Sequence, residues 1–156
     1  MALSSSHLQS ILKREPSTSR YFIGVFPSCL VNPSIFPRKK QFCFITNTDN
    51  HERGGDHWNG FYIRDGVLYF FDSFGRSPRD MTLPHSYRDI LLNFKRVEYF
   101  NKQIQPFDSF TCGYYCIHFL ILFSMGLNFK HLEEEFNFEN RQENDLHVLN
   151  VIDSIL

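Results

Sequence analysis

The chain has 156 residues, charges that nearly cancel to a net of −1, and 18 phenylalanines within an aromatic content of 17%. That length suits one domain around a single core, and the charge balance carries no global signal for a nucleic-acid or acidic partner. No stretch reaches the ~18–20 apolar residues of a membrane span, and the start Met-Ala-Leu-Ser-Ser-Ser lacks the basic and apolar regions of a secretory leader, so an intracellular, reducing setting is expected, with Cys29, Cys43, Cys112 and Cys116 free.

In chain order, Ser4–Glu15 is predicted helical: a serine caps it, Leu8, Ile11 and Leu12 fall at i, i+3 and i+4, and Pro16 stops it. Tyr21–Phe26 has strand composition. Pro27–Lys40, with three prolines, reads as a surface connection, and Gln41–Thr46 as a buried strand. Asn47–Asp56 is a polar loop. Trp58–Ile63 and Val67–Asp72 are two strands joined by Arg64-Asp65-Gly66, a strong hairpin signal. After a loop over 73–84, Tyr87, Ile90, Leu91 and Phe94 mark an amphipathic helix over Ser86–Phe94. Arg96–Phe100 is a short strand and Asn101–Thr111 a loop. A helix then runs from Cys112 to Gly126, another follows the cap Asn128 through Phe136, and a last one spans Gln142–Ile155 with Leu146, Leu149 and Ile152 on one side. This order predicts an α+β fold, a mostly antiparallel sheet packed by helices.

Chemistry is concentrated where the irregular segment 105–111 becomes the apolar run Tyr114–Met125. Cys112 sits at the junction, in the first turn of the expected helix, where unpaired N–H groups and the positive end of the dipole favour a thiolate. Gly113 allows another chain to approach the backbone. The hairpin brings its open ends together, and with them His57 and Asp72: a base for the thiol proton and a carboxylate to hold the ring. Gln105, together with the Cys112 backbone N–H, can form an oxyanion hole.

Each of these residues also has a plainer reading. Cys112 alone is a buried small hydrophobe, His57 a loop histidine, Asp72 a turn cap and Gln105 a polar loop residue. Trp58 is core filler or a roof over the imidazole. Cys116 and His118 do not make a metal site, because no second Cys/His pair accompanies them; packing is expected for both, and no metal. His7, His51, His85, His131 and His147 are expected to be solvated, as is the Glu133-Glu134-Glu135 run. The Arg38-Lys39-Lys40 cluster is too short to argue for DNA.

Gly54-Gly55-Asp56-His57-Trp58, Tyr69-Phe70-Phe71-Asp72-Ser73-Phe74-Gly75, Gln105 and Cys112-Gly113-Tyr114-Tyr115-Cys116 together resemble the adenovirus-type cysteine endopeptidases (adenain), in the broader group that includes SUMO-deconjugating proteases. The resemblance covers about residues 7–125. It implies an adenain-like protease fold with Cys112 as nucleophile, His57 as base and acid, Asp72 orienting it, and Gln105 on the oxyanion. It also implies cleavage of viral or virus-like precursor proteins next to Gly during particle maturation, in the virion or host nucleus. The alternatives are a ubiquitin-like isopeptidase and a non-catalytic protein- or nucleic-acid-binding module. No cofactor is needed for the chemistry itself, and a monomer is expected. A peptide activator and DNA come with the resemblance. No cysteine lies between Cys43 and Cys112 to take the activator's disulfide, however, and net −1 is a poor basis for DNA affinity.

Overall fold

A computed structural model describes residues 2–48 and 57–156; His51, Gly54, Gly55, Asp56 and most of the loop over 47–56 lie outside the described residues. The elements are α1 (Ser5–Arg14), β1 (Phe22–Pro27), β2 (Phe42–Asn47), β3 (Trp58–Arg64), β4 (Val67–Phe71), α2 (Ser86–Leu91), β5 (Arg96–Tyr99), α3 (Cys112–Ser124), α4 (Phe129–Glu135) and α5 (Arg141–Asp153). Capping follows the sequence. Ser4 and His7 close a capping box on α1, and Asn128 and His131 do the same on α4. Gly126, at φ +87°, ends α3 as the Leu127 N–H reaches back to the Leu122 carbonyl.

The five strands lie side by side in chain order. The central three are antiparallel, and β3 and β4 are joined by Asp65-Gly66, whose φ values of 53° and 76° are the positive pair a two-residue hairpin turn needs. Each edge strand is parallel to its neighbour, so the sheet is mixed. Parallel neighbours need long crossovers. The connection β1–β2 supplies one, with two short 3₁₀ turns (Ser28–Leu30 and Pro33–Ile35) in what the sequence shows only as a proline-rich link, and the α2 connection supplies the other.

Both sheet faces are covered, and this explains the apolar run of β2. Cys43 and Ile45 join Leu8, Leu12, Tyr62, Phe71 and the α3 residues on one face, while Phe42 and Phe44 join Phe61, Leu68, Phe70, Tyr87 and Ile90 on the other. α5 departs from its predicted face. Asn144, Val148 and Ile152 are buried, Leu149 is partly so, and Leu146 is 66% exposed. Asn144 faces inward because its Nδ2 donates to the carbonyls of Ile104 and Asn137, so a polar anchor sets the helix rotation.

α3 lies along β3 and runs in the same direction. Near its start the Cys116 thiol donates to the Trp58 carbonyl at 3.3 Å. Midway Phe119 covers Gly60, where an added Cβ would stand 2.8 Å from the ring. At its end Arg64 donates to the Phe123 carbonyl at 3.0 Å, a cation on the negative end of the helix. Contacts at 116, 119 and 123 follow the helical period. This alignment carries the N-terminus of α3 to the open end of the β3–β4 hairpin.

Candidate active site

His57 immediately precedes β3 and Asp72 immediately follows β4. The register pairs Gly60 with Phe71, so Asn59 stands opposite Asp72 and His57 two residue positions further out. The His57 Nε2 lies 2.5 Å from Asp72 Oδ1. The other ring nitrogen is left for Cys112, which is hydrogen-bonded to the imidazole. Burial works to lower the imidazole pKa, but the hydrogen bonds to Asp72 and Cys112, with the charges of both, raise it from 6.5 to about 9. The ring thus sits between the Asp72 carboxylate and the Cys112 sulfur and holds its proton through neutrality.

Asp72 is fully buried. Its Oδ2 accepts from Arg76 Nε at 2.5 Å and from the Arg76 backbone N–H at 3.2 Å. The carboxylate therefore caps the turn over 72–76 and holds the ring at the same time. Burial works to raise its pKa, but the hydrogen bond and charge of His57, followed by those of Arg76, hold it below the ordinary carboxylate value. In the sequence, the i+4 spacing from Asp72 is the one signal that points to Arg76. The ring stacked on the imidazole is Phe74, with centroids 4.9 Å apart and planes at 17°, and the exposed Phe107 stacks on Phe74 in turn. Trp58 does not provide this roof. Its indole is buried and donates to the Leu3 carbonyl, and with Leu3 and Leu8 it closes around Gly113, where an added Cβ would stand 3.3–3.4 Å from all three. The close approach expected at Gly113 is made by the N-terminal segment of the chain itself.

Cys112 is the first residue of α3 and is 5% exposed. Burial pushes the thiols of Cys43 and Cys116 up, which keeps them neutral. Before α3, the loop carrying Gln105 is stitched to the turn after β4. The backbone N–H groups of Ile104 and Gln105 donate to the Ser73 carbonyl. Gly75, at φ +79°, lies so close to the Lys102 backbone that a Cβ would stand 2.6 Å from its carbonyl carbon. The Gln105 side chain is buried. Its Oε1 accepts from Ser73 Oγ at 2.5 Å and its Nε2 donates to the Ser109 carbonyl at 2.9 Å, leaving one amide N–H on the nitrogen for another acceptor.

The structure thus brings His57, Asp72 and Cys112 together and places Gln105 in the loop leading to the cysteine. Two expectations outside this cluster change. His147 and Glu135 are not simply solvated: His118 and His147 both approach Glu135 Oε2, at 2.7 and 2.6 Å. The His118–Glu135 contact joins α3 to α4. Burial works to raise the Glu135 pKa, and the two histidines hold it down. Among the described residues no His/Cys/Asp/Glu group is arranged to hold a metal ion. A broad cleft lined by Phe36, Phe42, Ile63, Phe94 and Lys40 opens at the hairpin-turn end of the sheet, remote from Cys112.

A mixed sheet covered by helices on both faces, with a helix-borne cysteine facing a His–Asp pair across the open end of the hairpin, has the fold of the adenain- and Ulp1-type cysteine proteases. The ASFV pS273R protease superposes with a TM-score of 0.58 at 15% identity, covering 90% of this chain and 64% of that one. The SUMO protease Ulp1 does so with a TM-score of 0.54 at 12% identity, covering 99% and 80%. By sequence the chain is similar to adenovirus proteases, which bears out the resemblance read from its motifs. It is 29% identical over 136 residues to the protease of Human adenovirus D serotype 9 and 30% identical over 132 residues to that of Human adenovirus B serotype 3. These alignments cover 79% and 77% of this chain, but only 64% and 62% of the relatives. No family model matches the chain.

Proposed function

We propose that the chain is a cysteine endopeptidase acting on viral or virus-like precursor proteins. The observation that supports this most directly is the imidazole of His57 held between buried Asp72 and the thiol of Cys112. In this reading the thiol proton rests on His57 before the substrate arrives, and the Cys112 thiolate attacks the scissile carbonyl. The carbonyl π pair moves onto oxygen, which is met by the remaining Gln105 amide N–H and the Cys112 backbone N–H at the start of α3. The tetrahedral intermediate collapses, and the C–N bond breaks as His57 gives its proton to the leaving amine. Water, deprotonated by His57, then attacks the thioester, and the thiolate leaves. Asp72 holds the tautomer and the imidazolium throughout. His57 and Arg76 together keep Asp72 ionised, and Phe74 covers the ring face, sheltering the pair from water.

The substrates proposed are polypeptide precursors cut beside Gly within an infected cell or particle, as the family resemblance implies. Two experiments test the reading in turn. An electrophilic thiol probe at neutral pH labels the protein, and Cys112→Ala abolishes the labelling; persistent labelling rejects Cys112 as the nucleophile. Peptides with internal Gly-Gly-X sequences are then turned over. If only ubiquitin-like conjugates are cleaved, the enzyme is an isopeptidase, and if neither is, the site is not a peptidase.

A further inference from the structure

The loop that carries Gln105 is gripped from an element with no part in the mechanism above, the first two turns of α5. Arg141 Nε donates to the Gln103 carbonyl at 3.2 Å and Asn144 Nδ2 to the Ile104 carbonyl at 2.9 Å. Asp145 Oδ1 takes two hydroxyls, that of Tyr115 at 2.6 Å and that of Thr111 at 2.8 Å. Thr111 is the residue before Cys112, and Tyr115 lies one turn into α3.

The shortest contacts set the direction of the hydrogen bonds in this network. An ionised carboxylate only accepts, so the single proton of Thr111 points at Asp145. The Thr111 oxygen then accepts from Ser109 Oγ, 2.8 Å away, with the Pro106 carbonyl a longer second acceptor for the same proton at 3.3 Å. The Ser109 carbonyl can only accept, so the atom 2.9 Å from it is the Gln105 nitrogen. Rotating that amide by half a turn would set two oxygens against each other there. Burial, helped by the Asp145 anion, pushes the Tyr115 phenol up and keeps it a donor.

From this geometry we infer that Asp145 is a positioning residue: through Thr111 and Ser109 it holds the loop and orients the Gln105 amide, so that its nitrogen rather than its oxygen is available to the oxyanion. The inference rests on the peptidase reading for its catalytic consequence, but the orientation of the amide can be tested without turnover. In a ¹⁵N NMR spectrum the Gln105 side-chain amide, identified with Gln105→Ala, shifts in Asp145→Ala and stays near its wild-type position in Asp145→Asn, whose Oδ1 still accepts. An unchanged Gln105 amide in Asp145→Ala overturns the inference whatever the activity. With a cleavable peptide, Asp145→Ala lowers kcat about 10- to 100-fold, the range expected when an oxyanion donor is misplaced. KM stays within about twofold, because ground-state contacts are untouched. Thr111→Val reproduces the loss. Iodoacetamide alkylation of Cys112, which develops no oxyanion, keeps its wild-type rate. If alkylation falls in proportion to hydrolysis, Asp145 acts on the fold and the inference fails. If the wild-type protein alkylates but cleaves nothing, it is the peptidase reading that fails, and the NMR comparison still decides the role of Asp145.

Discussion

Replacing Asp72 by Asn isolates the electrostatics of the site, because the side chain keeps its shape and loses its charge. The imidazole of His57 sits at about 9 rather than 6.5, a difference worth about 3 kcal/mol at 1.36 kcal/mol per pH unit. Among the groups that raise it, Asp72 stands first, ahead of Cys112, while burial opposes both. With the carboxylate gone, burial acts against Cys112 alone, and the titration is expected to fall to about 7 or below. Histidine-selective NMR reads this directly, with the His57 signal identified by its loss in His57→Gln. The same substitution strands Arg76, whose Nε stands 2.5 Å from Asp72 Oδ2. A loss of stability of about 2–4 kcal/mol accompanies it, because a partly buried cation is left unpaired. A midpoint for Asp72→Asn within about half a pH unit of wild type would refute the account of the site, since the coupling that defines it would be absent.

Three other expectations use the same structure. Arg76→Met removes a cation that shares Asp72 with His57, so the imidazole midpoint moves upward, opposite in sign to Asp72→Asn; a downward shift contradicts the arrangement. The folded-state pKa of His57 is raised, so its contribution to stability is complete below about pH 6.5, declines as pH rises and is lost above about 9, and amounts to about 3 kcal/mol in all. Urea unfolding of wild type and His57→Gln should show their difference shrinking over that interval, and a difference that grows with pH has the wrong sign. Gly60→Ala forces a methyl to 2.8 Å from the Phe119 ring, which is itself stacked on Phe71 at 5.0 Å and cannot retreat. Destabilisation of about 1–3 kcal/mol is expected, read from the urea midpoint, and a neutral effect would mean that α3 is not seated on β3 as described.

Much of the site could be read in the chain because its partners are placed by short-range rules. Asp65-Gly66 specifies a two-residue turn, the turn sets the β3–β4 register, and the register alone brings His57 and Asp72 to the same end. The Cys112 position follows from the change of composition at Thr111, where a polar loop meets a run apolar on all sides. The rotation of α5 was not legible. Leu146 looks like a core residue by period, yet it is exposed, because the Asn144 amide claims two carbonyls at the interface. Nor was the role of Glu135, which the sequence shows as the end of an acidic run and the fold places between two histidines from other helices.

The sequence by itself determined the elements, the hairpin and the set of groups able to carry acyl-transfer chemistry, since capping, turn type and period depend on neighbours within a few residues. Tertiary structure alone decided that the edge strands run parallel, that Phe74 rather than Trp58 covers the imidazole, and that α5 holds the loop before Cys112. Each of these is a contact between segments distant along the chain, such as Thr111 with Asp145. Pairings of that kind are selected by burial and hydrogen-bond satisfaction over the whole fold, and no local pattern encodes them.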